Sequence, residues 1–265
     1  MLKTPRVLPP LLLIFCLALG KHTAAQAGPI SFTSEANAIN GTVTCADGSV
    51  VSILPVDATF TITTGSSNKS LDFASASACG MNVYLVTSMD DKTDDSDTMT
   101  EDDGDSFAST GSGSLLGGLV TWSSGQDADS CTESTPNTAN FTASASATNM
   151  VINGQPLPPG DYPSGTQIPI VQASITVPSS TCTGVALFSG TLTLMPMSIT
   201  GQNTNSVRLA LAFLTLSGDL TCIGIPLGRI HYALTVGDPD IVANGTGNIE
   251  LIQAPSTPKP VFQAF

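Results

Sequence analysis

From residue 28 onward the chain reads as short apolar-alternating runs separated by Gly, Pro, Asn and Asp. Runs with apolar residues at i, i+3, i+4 and i+7 between helix caps are lacking. In Gly190-Thr191-Leu192-Thr193-Leu194 and Leu209-Ala210-Leu211-Ala212-Phe213 the period is two. That places the large apolar side chains on one face of a strand and Thr or Ala on the other. The pattern predicts strands over Asn40–Cys45, Ser49–Leu54 and Ala58–Thr63, with Ala46-Asp47-Gly48 as a hairpin turn. Further strands are predicted over Asn82–Thr87 and over Leu115–Trp122, where Gly117 and Gly118 weaken the signal. A more regular series follows: Phe141–Ile152 with a turn at Asn153-Gly154, then Gln167–Val177, Val185–Ile199, Ser206–Leu216, Arg229–Val236 and Gly247–Gln253. This punctuation predicts an all-β protein built as a β-sandwich, one large or two small. A β-solenoid is the alternative, although the chain shows no fixed repeat period.

The first 27 residues have a different character. Lys3 and Arg6 precede an apolar stretch from Val7 to Leu19, and Ala25-Gln26-Ala27 follows a polar hinge. Positive region, short apolar region and small-x-small site predict a secretory signal peptide cleaved after Ala27. The apolar stretch falls short of the roughly 20 residues that a membrane-spanning helix needs, and Phe15 before Cys16 does not suit a lipoprotein signal. The organisation expected is a signal peptide (1–27), an N-terminal β segment (28–89), an acidic and Gly/Ser-rich loop (90–114), a main β-sandwich region (115–254) and a Pro-containing tail (255–265). No transmembrane segment is expected in the mature chain, and the location expected is extracellular or cell-surface.

Charge narrows the partners. The whole chain has a formal net charge of −13, and loss of residues 1–27 removes Lys3, Arg6 and Lys21 but no acid. A protein this acidic is repelled by phosphate backbones, which argues against nucleic acid. Nine acids crowd Asp90 to Asp105 with Lys92 in opposition. Like charges at that density predict a solvated loop. Clustered carboxylates are also hard oxygen ligands, so Asp95, Asp97, Glu101, Asp103 and Asp105 are the calcium candidates, although no frame matches the hand-type calcium loop. No other cofactor is expected.

Of the six cysteines, Cys16 belongs to the signal region. Export favours disulfides among the remaining five. The arrangement drawn from the several that are open is Cys45–Cys79 and Cys182–Cys222, with Cys131 left in a polar loop. Without a Cys-x-x-Cys element a zinc site is not expected.

Catalytic signals are sparse. After residue 27 the only histidine is His231, inside a predicted strand next to Tyr232, and no Gly-x-Ser-x-Gly elbow supplies a nucleophile. Asp72, Asp161, Asp219 and Glu250 are acids that a glycosidase could use, but Trp122, Tyr84, Tyr162 and Tyr232 are few aromatics for stacking sugars. Sequons stand at Asn40, Asn68, Asn140 and Asn244.

The stretch Val151-Ile152-Asn153-Gly154-Gln155-Pro156-Leu157-Pro158 resembles a segment of the choice-of-anchor type bacterial secreted proteins, which are β-rich surface proteins. The resemblance spans at most residues 130–215. It implies a secreted surface protein and assigns no catalytic residue. The functional expectation is therefore a secreted, non-enzymatic structural, adhesive or matrix-type protein. The alternative is a calcium- or glycan-dependent extracellular binding module. The partners expected are an extracellular protein, a glycan or a second copy of the chain.

Overall fold

One strand of 24 residues, Ile230–Gln253, organises the molecule. In the computed structural model, which describes residues 30–265 apart from 54–59, 63–64, 72–73, 87–88, 96–102, 110–111, 179–181, 183, 224–227 and 256, this strand is central to the larger of two sheets. The expected signal peptide lies outside the described residues. Along one edge the strand pairs antiparallel with Ser31–Thr44, in a register running from Ser31 opposite Asn244 to Thr44 opposite His231. Along its other edge it changes partner, pairing first with Leu214–Ile223 and then with Thr204–Leu211. Its last residues run parallel to the start of Thr138–Thr148.

This change of partner separates two apolar cores. Ile230, Tyr232, Leu234 and Val236 enter the larger one, whereas Ile241, Ala243, Ile249 and Leu251 enter the smaller. Gly237, with φ +57°, stands at the crossover. A side chain there would disfavour the left-handed backbone that resets the strand. The strand Ser31–Thr44 is split in the same way, with Phe32 in the smaller core and Ile39 and Val43 in the larger.

The larger sheet continues from Thr138–Thr148 through Ser124–Thr135, Asp103–Ser109 and Met89–Asp95 to Gly65–Leu71. In the other direction it runs through Val185–Leu194 to Thr166–Ile175. A six-stranded sheet carries Ala74–Ala78, Met81–Val86, Gly113–Leu115, Val120–Trp122, Val151–Ile152 and Gln155–Pro156. Its apolar face contributes Val83, Tyr84, Leu115, Val120 and Trp122 to the larger core. The fold is all-β and sandwich-like.

Several local expectations are corrected. Residues 90–114 were expected to form a solvated loop, yet Met89–Asp95 and Asp103–Ser109 are antiparallel strands paired from Asp90 opposite Ala108 to Asp94 opposite Gly104. Lys92 on this strand stands opposite Asn68 of Gly65–Leu71. Backbone pairing proceeds in spite of the charge because it does not depend on the side chains. Leu115–Trp122 is two short strands joined by a turn, since Gly117 (φ 65°) and Gly118 (φ 98°) reverse the chain there. The Pro-containing tail ends in the strand Val261–Ala264, which pairs with Thr138–Thr148 and Gly160–Pro163 and buries Phe262 completely. Val261-Phe262-Gln263-Ala264 alternates inward and outward once Pro260 has been passed.

Candidate functional site

Two places on the described surface gather polar chemistry, and both depend on the strand Ile230–Gln253. The first is the solvent face of the larger sheet. Because side chains alternate across a strand, the residues between the buried apolar positions emerge together, and the register aligns them in rows. One row runs Thr193, Thr215, Thr235, Asn40; the next runs Thr191, Ser217, Ala233, Thr42, Ser52. A third runs Ser189, Asp219, His231, Thr44. Neighbours within a row are about 4.8 Å apart and successive rows about 6.7 Å apart, by strand geometry. The hairpin formed by Met197–Thr200 and Thr204–Leu211 borders the first row, where a groove of about 210 Å³ is lined by Thr215, Thr235 and Met197.

The third row holds the ion cluster of this face. His231 Nδ1 lies 3.0 Å from Asp219 Oδ1, and Arg229 Nη1 lies 3.4 Å from Asp219 Oδ2. His231 is thus a strand-face histidine with an acidic neighbour. Serine is present in the row, but on the wrong side of the acid: Ser189 stands opposite Asp219. A Ser-His-Asp relay requires the imidazole between nucleophile and carboxylate. Ser189 is two strands from His231, about 10 Å across the sheet, and its hydroxyl accepts the Gln172 N–H at 3.0 Å.

The acids considered for glycosidase chemistry are dispersed. Asp161 accepts the Gln263 side-chain amide at 3.4 Å, Asp219 serves His231 and Arg229, and Glu250 is the register partner of Thr138. Asp72 lies outside the described residues.

The second place is a cavity of about 470 Å³ at the end of the sandwich where the two disulfides lie. Cys45 is bonded to Cys79 and Cys182 to Cys222, the pairs drawn from the sequence. Cys45 follows Ser31–Thr44 and opens the turn to Val50–Ile53. This turn is closed by the Gly48 N–H to the Cys45 carbonyl at 2.9 Å. Cys79 and Gly80 form the two-residue turn of the Ala74–Ala78/Met81–Val86 hairpin, with φ 52° and 76°. That geometry is the mirror-image turn that favours residues tolerating positive φ. Both bridges border the cavity, and Ala186, Leu220 and Ile230 are its buried apolar lining. Asp47 is at the exposed rim. The Ser49 hydroxyl donates to Asp47 Oδ1 at 2.6 Å and the Ser49 N–H at 2.9 Å. These bonds, the hydroxyl's first, hold the carboxyl below its ordinary value of 3.8.

The calcium candidates fall differently from the expected loop. Asp95, Asp103 and Asp105 are strand residues, while Asp97 and Glu101 lie outside the described residues. Asp103 is the register partner of Cys131, and Asp105 that of Asp129. The strand Ser124–Thr135, which the sequence pattern did not predict, buries Asp127, Asp129, Cys131 and Glu133 at alternate positions. Cys131 is therefore in a buried strand position rather than a polar loop, and belongs to neither bridge. Glu133 Oε2 accepts the Ile30 N–H at 3.0 Å. Asp240 is paired with Arg208. Among the described residues no group of three or more His, Cys, Asp or Glu side chains is placed to hold a metal ion.

Sequence reasoning missed the cavity because it depends on four cysteines and two turns far apart in the chain. The turn signal at Ala46-Asp47-Gly48 was legible, whereas the turn at Cys79-Gly80 and the meeting of the two were not. Comparison with known proteins adds no relative: no family model, no curated protein and no solved structure matches the chain.

Proposed function

We propose that this chain is an extracellular, non-enzymatic protein of adhesive or matrix type, which meets a neutral, hydroxyl-rich polymer such as a surface glycan through the solvent face of its larger sheet. The observation that carries this reading is the three register-aligned rows, in which Thr and Ser predominate across neighbouring strands. The two disulfides fit an oxidising compartment, and among the described residues no helix is long and apolar enough to cross a membrane. A net charge of −13 disfavours anionic polymers. Each hydroxyl contact contributes little on balance, about 0.5–1.5 kcal/mol, because water is displaced to form it. Firm attachment on such a face comes from several rows acting together and from repetition along a polymer.

The test is sedimentation with insoluble neutral polysaccharides and with whole cells, with calcium and with chelator. The Thr191→Lys/Ser217→Lys variant places bulky cations at two adjacent members of the second row, one half-buried and one exposed, outside the apolar core. Loss of co-sedimentation in the variant supports the reading. Unchanged binding in the variant, no binding by the unmodified protein, or release of soluble sugar from the polymer overturns it. Binding that vanishes with chelator would instead favour the calcium-dependent module.

A further inference from the structure

We infer that the cavity between the two disulfides is a binding site for a small amphiphilic cation, an apolar body of about ten heavy atoms bearing a cationic head. This inference is independent of the sheet-face reading, because the cavity and the rows are formed by opposite faces of the same strands. Ile230 and Leu220 point into the cavity, whereas their neighbours His231 and Asp219 belong to the third row.

Three observations converge. The volume, about 470 Å³, is within the range of small-molecule pockets and far above the few tens of cubic ångströms of an ordinary packing void. The cavity is a recess open to solvent with a mostly apolar lining. Two parts of its wall are covalent cross-links: Cys45–Cys79 ties the Ser31–Thr44 strand end to the hairpin of the smaller sheet, and Cys182–Cys222 ties the segment before Val185–Leu194 to the end of Leu214–Ile223. Either bridge would shorten the unfolded chain's reach wherever it was placed. That both border one cavity is what a preorganised pocket requires.

The chemistry of the lining selects the occupant. Ala186, Leu220 and Ile230 offer hydrocarbon at depth. Asp47 is the charged member of the described lining; its exposed carboxyl is ionised at neutral pH and is oriented by two hydrogen bonds from Ser49. Both of those bonds go to one oxygen, Oδ1, and fix the carboxylate at the rim. The surrounding field has the same sign, since the chain carries a net −13, so cations are drawn toward the rim and anions repelled. An apolar depth below an anionic rim suits a quaternary or primary ammonium on an aromatic or branched hydrocarbon.

The probe is benzyltrimethylammonium, compared with benzyl alcohol and phenylacetate as neutral and anionic analogues, titrated into the oxidised full chain. Binding is read as a saturable rise in melting temperature and by calorimetry. The expected order is cation over alcohol over carboxylate. Asp47→Asn should weaken the cation about threefold to fivefold and leave the alcohol unchanged, as expected for an exposed ion pair. Ala186→Phe, which fills the cavity from its floor, should abolish binding of all three. Should that variant fail to fold, Asp47→Lys decides alone: it should reverse the order of cation and carboxylate. Absence of saturable binding by the cation, equal affinity for cation and carboxylate, or an Asp47→Lys variant with unchanged preference overturns the inference. Such failures leave the polysaccharide assay untouched, and loss of polysaccharide binding leaves the titration untouched.

Discussion

The sole tryptophan of the chain makes one packing argument directly measurable. Trp122 is the register partner of Gly113, and its ring lies where a side chain on that glycine would be. A Cβ at Gly113 would be 2.1 Å from Trp122 Cε2 and Cζ2, well inside any van der Waals contact. The ring has no room to retreat. It meets Phe213 edge-on at 5.6 Å, Phe213 in turn packs on Phe262 at 5.5 Å, and the Phe213 ring also covers Gly125. Gly113→Ala must therefore push the indole out of line or displace the sheet strand that carries it. Overpacking of this kind costs about 1–3 kcal/mol, and full expulsion of the ring would approach the roughly 3–5 kcal/mol of deleting it. At this chain length each kcal/mol lowers the melting temperature by about 2–4 °C. Urea denaturation followed by tryptophan emission should show a blue-shifted, acrylamide-resistant native state in the unmodified protein. The variant should show a red shift, greater quenching and a lower midpoint. Gly154→Ala is the control, because nothing lies within 4 Å of its Cβ position and its φ of +73° adds backbone strain alone. An unchanged spectrum and midpoint in Gly113→Ala would refute the ring-over-glycine packing.

Other expectations follow from the same coordinates. Replacing Cys45 and Cys79, or Cys182 and Cys222, by alanine pairs opens loops with sequence separations of 34 and 40 residues. Chain entropy assigns each about 4 kcal/mol. A urea midpoint unmoved by reductant would contradict this. Burial pushes the phenols of Tyr84 and Tyr232 up to about 12. The protonated forms are favoured in the fold, so this stability is fully present below about pH 10 and is lost as pH rises toward 12. It is on the order of 2–3 kcal/mol for each ring. Among the described residues the buried Tyr84 Oη has no hydrogen-bond partner, so Tyr84→Phe should be neutral or stabilising at pH 7 and should flatten the alkaline decline; a large loss at pH 7 would argue against that burial. Phe262→Ala should cost about 3–5 kcal/mol, and an effect below 1 kcal/mol would mean that the C-terminal strand is not docked.

The most legible parts of the fold were those where period two met a single buried face. Val185–Leu194 buries alternate residues along most of its length, and the Thr-Leu-Thr-Leu run states that alternation outright. Leu214–Ile223 alternates as cleanly but went unpredicted beyond Leu216, because the run Ser206–Leu216 spans what the structure divides into Thr204–Leu211 and Leu214–Ile223. Turn chemistry was equally readable at Asn153-Gly154, where both residues have positive φ between paired strands. Ser124–Thr135 was illegible because its inward face carries Asp127, Asp129, Cys131 and Glu133. Polar residues at alternate positions resemble a loop until a sheet covers them. The acidic strands were obscured for a related reason, since charge density predicts solvation and says nothing about backbone pairing. Arg229–Val236 and Gly247–Gln253 read as two strands because Asp238-Pro239-Asp240 is turn-like in isolation. In the sheet that segment is continuous, its backbone held by Ser31–Thr44 on one side.

What the sequence by itself determined was the class and the general character: alternating strands, a heavily acidic balance, five cysteines beyond the leader-like segment and few groups suited to catalysis. These are properties of residue type and short-range order, which a single chain displays directly. Only the tertiary structure decided which surfaces result. Register turned scattered Thr and Ser residues into rows, and placed Ser189 beside Asp219 rather than beside His231. Long-range closure brought Cys45, Cys79, Cys182 and Cys222 around one cavity with Asp47 at its rim. The physical reason is the same in each case. Alternation specifies which side of a strand a residue occupies, but the partner across the sheet is set by packing between segments as far apart in the chain as Ser31 and Asn244.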